Sequence, residues 1–553
     1  MYSQNPHYRY NWPSMVVMSK LLSFPNLTLA ACVEGFFAIK LFPNYYSSQS
    51  HLAAVVTILL INYAFGVIFW VFLYPILFSP LRNIPGPKAY LSAAHHSLVV
   101  KGRPSGDLFL DLAKKYPGKD IIMLNSLRDQ LCIMSPQLLA DLLVHNCYDF
   151  AKPKRISSFL RHILGDGLII VEGDQHKFLR KNTSPAFHFR HIKELYPMMW
   201  AKSETLAKAI AQDITAASSS VVELNSWASK VTLDIIGIAG LGRRFDTVEK
   251  KVDPLADIYE QLLEPSREKL VFSMLSLALG LPLIRLIPWK MNDLFNYLTG
   301  SLNELCYPMI KEKKAAILEK GDDHFDILSL LIKSNNFSDE ALKDQLLTFL
   351  AAGHETTASA LTWACYLLTQ SPDIQTKLRD EVRDMLPADV DSNTPELASI
   401  LEQMPYLNGV MQETFRLYPT VPLTMRQALR DTQIGDQYIP KGTDVIVSIW
   451  YINRSPEIWG YDAAEFRPER WINKDGKPNQ HGGASSNYNF LTFLHGPRSC
   501  IGQGFAKAEM RCLLANMVKS FEWTLAMDNH LVQPRGVITI KPENGMYLNM
   551  KAI

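Results

Sequence analysis

Phe493-Leu494-His495-Gly496-Pro497-Arg498-Ser499-Cys500-Ile501-Gly502 is the stretch that organises the reading of this 553-residue chain. Cys500 is bracketed by Gly496 and Gly502, which carry no Cβ and let a flat ligand approach the backbone closely. The sequence from Gly504, GFAKAEMRCLLANMVKSFEW, is helical in pattern and sets Cys500 near a helix N-terminus. Unpaired N–H groups and the positive dipole end lower a thiol pKa there, and Arg498 adds a cation two residues away. A core cysteine beside a turn is the usual fate of a lone Cys, and the loop alone does not separate the two readings.

Outward from this loop, the body is mostly helical by pattern, with short β-like pieces at Val445–Ile449 and Gly536–Ile540. The clearest helix begins at Ser338, a good N-cap followed by Asp339 and Glu340, and runs to about Gln370 before Ser371-Pro372. Roughly thirty residues make it ~45 Å long, enough to cross a whole domain. It contains Ala352-Gly353-His354-Glu355-Thr356-Thr357. Adjacent threonines are poor helix residues and a mid-helix Gly costs ~1 kcal/mol, so this segment predicts a local opening of the hydrogen-bond ladder. An ordinary helix with unfavourable residues is the alternative. A second helix lies between Pro405 and Pro419 and carries Glu413 and Arg416 on one face. Taken alone, such a pair is most often on the surface and is worth ~0–1 kcal/mol.

The pattern F-x-x-G-x-R-x-C-x-G around Cys500 resembles the haem-binding loop of the cytochrome P-450 superfamily, with every defining position filled. The resemblance implies that the Cys500 thiolate is the axial ligand to the iron of haem b, that Phe493 packs near the proximal face, and that Arg498 donates to a propionate. Gly502 closes the motif. Ala352–Thr356 resembles the oxygen-activating motif A-G-x-[D/E]-T. By that match Thr356 hydrogen-bonds the dioxygen or the water beside it, Glu355 helps to relay protons, and Gly353 lets the helix open. Glu413-Thr414-Phe415-Arg416 resembles the family's E-x-x-R, completed by Arg470 of Phe466-Arg467-Pro468-Glu469-Arg470, as structural support for the cysteine loop. Arg426 matches one further propionate contact. The other is a W-x-x-x-R pattern, where this chain has His176 and Arg180; His in place of Trp still offers an N–H donor. By position in the family, Phe349, Leu423, Thr424 and Met546 line the substrate pocket. The resemblance runs from about Pro85 to the end, with its motifs in order.

The first eighty residues are of another kind. Leu52–Phe78 has no charge; its roughly 27 residues would span ~40 Å as a helix, against a hydrocarbon core of about 30 Å. A transmembrane helix at about 52–78 is therefore expected, with a buried core helix as the alternative. A second apolar segment, 21–42, carries Pro25, Glu34 and Lys40 and either spans or lies in the interface. The polar, aromatic start does not resemble a cleavable signal peptide. Asn26-Leu27-Thr28 is a glycosylation sequon whose use depends on a lumenal location. Arg82, Lys88, Lys101 and Arg103 favour a cytoplasmic position for everything downstream. Ile84-Pro85-Gly86-Pro87 forms a stiff connector. The expected organisation is an anchor region (1–80), a proline-rich hinge (81–88) and one catalytic domain (89–553). Leu270–Ile287, broken by Pro282 and Arg285, is expected to touch the membrane surface rather than cross it.

Composition agrees with this outline. Hydrophobic residues make up 48%, enough for a large core, and a formal net charge of +2 gives no basic face for nucleic acid. Seven scattered cysteines with no CxxC pair argue against a disulfide scaffold or a structural zinc site. The expected fold is the mainly α (α+β) architecture of the P-450 superfamily behind an N-terminal transmembrane helix. The resemblance implies a monooxygenase that uses O₂ and NADPH-derived electrons on an apolar small molecule. The electrons would arrive through a flavoprotein reductase, with cytochrome b5 as a further donor, since the chain has no flavin or dinucleotide fingerprint. Lys507 and Arg511 are candidates for the reductase surface, or ordinary helix residues. The resemblance is strongest to fungal members, in which tailoring of secondary metabolites at the endoplasmic reticulum is common. Two rivals are an O₂-independent haem-thiolate isomerase or dehydratase, and a non-catalytic haem-binding membrane protein. Neither has need of Glu355 and Thr356.

Overall fold

The computed structural model describes residues 24–41, 51–87, 104, 106–125, 129–249, 253–263, 266–320, 326–536 and 538–553. They fall into two compact units, one within 1–92 and 123–130, the other within 93–122 and 131–553. In the first, helices α1 (Phe24–Leu41) and α2 (His51–Ile68) pack together. Gly35 allows the approach, since a Cβ there would lie 2.8 Å from Val55 Cγ2. The Asn62 amide donates to Glu34 Oε2 at 2.6 Å, giving the one acid of α1 a partner on α2.

The apolar run expected as one helix over 52–78 is divided. It is α-helical to Ile68 and π-helical over Phe69–Phe78, a stretch that includes Pro75, which has no N–H to give to a regular ladder. Among the described residues no helix is long and apolar enough to cross a membrane. Residues 21–23 and 42 of the second apolar segment, and Lys88, Lys101 and Arg103, lie outside the described residues.

The larger unit is built on helices α3 (Gly173–Thr183), α4 (Phe189–Ala217), α5 (Leu224–Leu241), α6 (Asp339–Gln370), α7 (Pro405–Leu417) and α8 (Gln503–Ser520). The Ser338 hydroxyl accepts the Ala341 N–H at 3.2 Å and starts α6 where the sequence predicts. From Leu342 to Leu368 most α6 side chains are buried, as befits a helix threading a core. α5 crosses it closely, and Gly353 is the reason: a Cβ there would meet Ile236 Cδ1 at 2.9 Å. The opening of α6 expected at Gly353 is not present, because the glycine makes room for a neighbour rather than breaking the helix. α8 lies against α4, with Gly504 facing Ile192.

Among the strands of this unit are β1 (Phe150–Ala151), β2 (Val221–Glu223), β3 (Leu423–Ala428), β4 (Asp444–Ser448), β5 (Phe521–Leu525), β6 (Pro534–Arg535), β7 (Lys541–Pro542) and β8 (Tyr547–Ala552). β3 pairs antiparallel with both β1 (Phe150↔Ala428) and β4 (Leu423↔Ser448). β8 pairs with β2 (Tyr547↔Glu223) and β5 (Leu548↔Leu525). The strand expected at Val445–Ile449 is β4, one residue earlier. The segment expected as a strand at Gly536–Ile540 instead joins β6 to β7. Gly536 turns so tightly that a Cβ would fall 1.6 Å from the Thr539 carbonyl oxygen.

α7 carries the polar knot of the fold. Glu413 and Arg416 are fully buried rather than on the surface. Arg416 uses all of its donors: Nε and Nη2 on the Glu413 carboxylate at 2.8 and 2.7 Å, and the rest on the carbonyls of Asn453, Ala463 and Glu465. Glu413 also accepts the Trp471 indole N–H at 2.9 Å and the Arg467 amide at 3.1 Å, with Arg470 Nε 3.3 Å away. Glu413→Ala leaves an uncompensated buried guanidinium and is expected to cost about 3–5 kcal/mol. Urea unfolding of the variant checks this, with Arg416→Lys expected to be nearly as damaging because an ammonium has three donors for five acceptors.

Candidate active site

The loop before α8 is held open by two left-handed residues, Leu494 (φ 54°) and Gly496 (φ 77°). At Gly496 the requirement is absolute, since a Cβ would lie 2.1 Å from the Leu143 carbonyl oxygen. The Cys500 amide closes the loop by donating to the Phe493 carbonyl at 2.8 Å. Gly502 is the N-cap of α8, and a Cβ there would approach the Cys500 sulfur to 4.0 Å. Cys500 retains accessible surface, yet protein encloses it enough that burial pushes its thiol pKa up, with the Gly502 N–H and Arg180 pulling the other way. The expectation of a thiolate favoured by the loop alone is thus corrected, because desolvation outweighs the helix terminus. The cation acting on it is also Arg180 rather than Arg498.

Arg498 turns away from the sulfur to Glu172 and the Cys147 carbonyl, with its guanidinium 4.8 Å from the centre of the Tyr148 ring. Its Nε is buried without a hydrogen-bond partner. Arg426, on β3, is 4% exposed, and its Nη1 reaches only Thr424 Oγ1 and the Met425 carbonyl, both at 2.9 Å. Burial first, then Arg498, brings its pKa down to about 10. Lys152, 3.7 Å from Glu172, falls to about 8 through burial and then Arg426. His176, on α3, lies 3.3 Å from the Tyr148 hydroxyl; burial and Arg498 bring it to about 4, so it is neutral. Arg180 donates to the Ser499 carbonyl at 2.6 Å. Sequence reasoning missed Lys152, Tyr148 and Glu172, and no spacing or pattern links them to the cysteine loop. Three cations gathered round Glu172, with a donor left over on Arg498, fit a dianion such as a pair of propionates. Phe493 meets Phe415 edge-on at 5.2 Å.

Across the core, Thr356 donates to the Ala352 carbonyl at 2.7 Å, and α6 is continuous through it. Glu355 pairs with Lys541 of β7 at 2.8 Å, a partner the sequence did not announce. Glu509, on α8, is wholly buried. Neither of its oxygens has a well-formed hydrogen bond, and burial drives its pKa well above the usual carboxylate range despite the nearby Thr357 hydroxyl. Of the expected pocket residues, Leu423 and Thr424 are half-buried. Phe349 is nearly covered and edge-on to Phe187 at 5.5 Å. Met546 has no accessible surface, with its amide donating to Glu223. Met546 packs beside β2, its carbonyl accepting the Leu224 amide at 2.8 Å.

The family model for Cytochrome P450 matches residues 85–549. The chain belongs to the cytochrome P450 family. This P450 is 40% identical over 491 residues to the cytochrome P450 monooxygenase sphH of Aspergillus fumigatus, covering 87% of the chain and 90% of that relative. It is 36% identical over 571 residues to the monooxygenase FUM15 of Gibberella moniliformis, covering 93% and 95%. The monooxygenase ALT8 of Alternaria alternata is 35% identical over 549 residues, covering 87% and 91%. The P450 is therefore an oxidoreductase: a haem-thiolate monooxygenase that takes a small-molecule substrate, O₂ and NADPH-derived electrons delivered by a redox partner. Arg511, considered for the partner's surface, is instead engaged inside the fold by Asn408 at 2.8 Å and the Tyr196 hydroxyl at 3.1 Å.

His354 gives a pH test of this region. Burial first, then Lys541, lowers its pKa to about 3 from 6.5. The folded state therefore excludes the charged ring. This contribution is complete above the unfolded pKa of 6.5 and is lost as pH falls from there toward about 3. Urea unfolding at pH 7 and pH 5 should show the parent losing stability on acidification, with a shallower loss in His354→Gln.

Proposed function

We propose that Cys500 is the proximal ligand of this monooxygenase and that its substrate is an apolar product of secondary metabolism. The observation that carries the first part is the accessible, enclosed Cys500 sulfur in a loop that admits a flat group, beside a buried surplus of cations. When bound, the haem supplies the redox centre at which one atom of O₂ enters the substrate and the other leaves as water. The Cys500 sulfur would hold the iron, as a thiolate formed on binding. Arg498, Arg426, Arg180 and neutral His176, with Lys152, would hold the propionates, and Phe493 would pack against the ring. Glu355 and Thr356 move protons, the carboxylate exchanging with solvent and the Thr356 hydroxyl passing the proton on once it leaves the Ala352 carbonyl. Glu413, Arg416 and Arg470 support the loop from below. Phe349, Leu423 and Thr424 face the substrate.

The apolar substrate class is supported by the N-terminal region. Leu60, Ile61, Phe65 and Leu77 of the uncharged 52–78 run are exposed, as are Leu279, Leu283, Leu286 and Ile287 of the body. Exposed apolar surface of this kind suits a lipid phase. In this reading residues 1–80 anchor the chain in the endoplasmic reticulum, 81–88 connect, and 89–553 work at the cytoplasmic face with a flavoprotein reductase and cytochrome b5.

The deciding measurement is the spectrum of reduced, carbon monoxide-treated protein, which should show the long-wavelength Soret band of sulfur ligation. Cys500→Ala should abolish it, and a folded, haem-loaded parent with only a nitrogen-type band would overturn the assignment. Microsomes with a reductase and a panel of terpenoid and polyketide precursors should yield oxygenated products. Thr356→Ala should keep its haem but release more peroxide per NADPH; normal coupling in that variant would remove Thr356 from the relay.

A further inference from the structure

Lys541 is the charged group on β7, in the short ribbon with β6, where Arg535 faces it in register. Its ammonium is 2.8 Å from Glu355 Oε1, with the two side chains only 9% and 15% exposed. Around it the ribbon is tied to the core. The Ile540 carbonyl accepts the Ser359 hydroxyl at 2.5 Å, and the Ile540 amide donates to the Thr420 carbonyl at 2.9 Å. Ser359 lies one helical turn beyond Glu355 on α6, so the same stretch of ribbon grips α6 at two successive points on one face. An ammonium with so little access to water needs an anion, and Glu355 supplies it. Meanwhile the Thr356 hydroxyl is turned to the Ala352 carbonyl, so acid and alcohol do not face each other.

We infer that Lys541 is the positioning residue of the proton relay, parking the Glu355 carboxylate on the ribbon and setting how readily it swings to exchange a proton between solvent and Thr356. The inference rests on Glu355 acting in that relay. The proton moves from solvent to a Glu355 carboxylate oxygen, then to Thr356 Oγ1 as that hydroxyl gives up its own proton onward; Lys541 keeps its proton throughout.

Four variants in the haem-loaded, full-length protein test it: Lys541→Met, Lys541→Arg, Glu355→Gln and the double Lys541→Met/Glu355→Gln. Lys541→Met should lower kcat about tenfold with KM nearly unchanged and divert NADPH to peroxide, as expected for a lost proton-transfer contribution. Lys541→Arg should recover most of both. In urea unfolding, the stability losses of the two single variants should not add in the double, because they remove one ion pair. Should Lys541→Met fail to accumulate with haem, Lys541→Gln reads the same quantities. Glu355→Gln with parental coupling would overturn the underlying relay. Uncoupling in Glu355→Gln together with parental kcat and peroxide in Lys541→Met would overturn the role of Lys541 alone. A loss in Lys541→Met that arginine does not recover would also overturn it.

Discussion

A buried guanidinium with every donor used is a fixed point from which other parts of the structure can be hung. Arg416 holds the Asn453 carbonyl, and the Asn453 side chain in turn holds the cysteine loop: its Oδ1 accepts the Leu491 amide and its Nδ2 donates to Thr492 Oγ1. Thr492 then donates to the Phe415 carbonyl, back on the helix of Arg416 itself. Phe493 follows, edge-on to Phe415, and its carbonyl receives the Cys500 amide. The position of the sulfur is thus inherited, bond by bond, from an ion pair far along the chain. Burying that pair is not a cheap source of stability, since desolvation opposes the Coulomb gain. Its value lies in how few arrangements satisfy all the partners at once.

The two sides of the site are built on different physics. The cysteine side is a loop strained into left-handed backbone at Leu494 and Gly496 and locked by hydrogen bonds. The oxygen side is a regular helix whose polar residues are turned to neighbours: Thr356 to a carbonyl one turn back, Glu355 to Lys541, and Gly353 serving Ile236. The first side is rigid by construction. The second contains groups whose present partners are exchangeable, which suits side chains that handle protons during turnover.

Much of this was legible in the sequence because it is local. The N-cap at Ser338, the proline at the start of α7, the glycines of the cysteine loop and the E-x-x-R spacing each act over a few residues. What could not be read was whatever depends on distant segments meeting. Lys152, Glu172 and Arg498 come from three parts of the chain, and Lys541 reaches Glu355 from near the C-terminus. Gly353 was misread for the same reason: within its own helix it looks like a weakness, and only Ile236 from α5 shows it to be a fitted contact. The sign of the Cys500 effect was missed because helix-terminus electrostatics can be seen in sequence, whereas desolvation depends on the whole fold.

The cluster of Lys152, Arg426 and Arg498 around one glutamate has a bearing on how the protein lives in a cell. Like charges confined away from water oppose collapse of that region until a counter-charge arrives. The bare polypeptide is then the weaker form, and ligation stabilises by mass action. Its steady-state abundance should follow porphyrin supply, because chains that finish synthesis without the prosthetic group spend longer open to proteases.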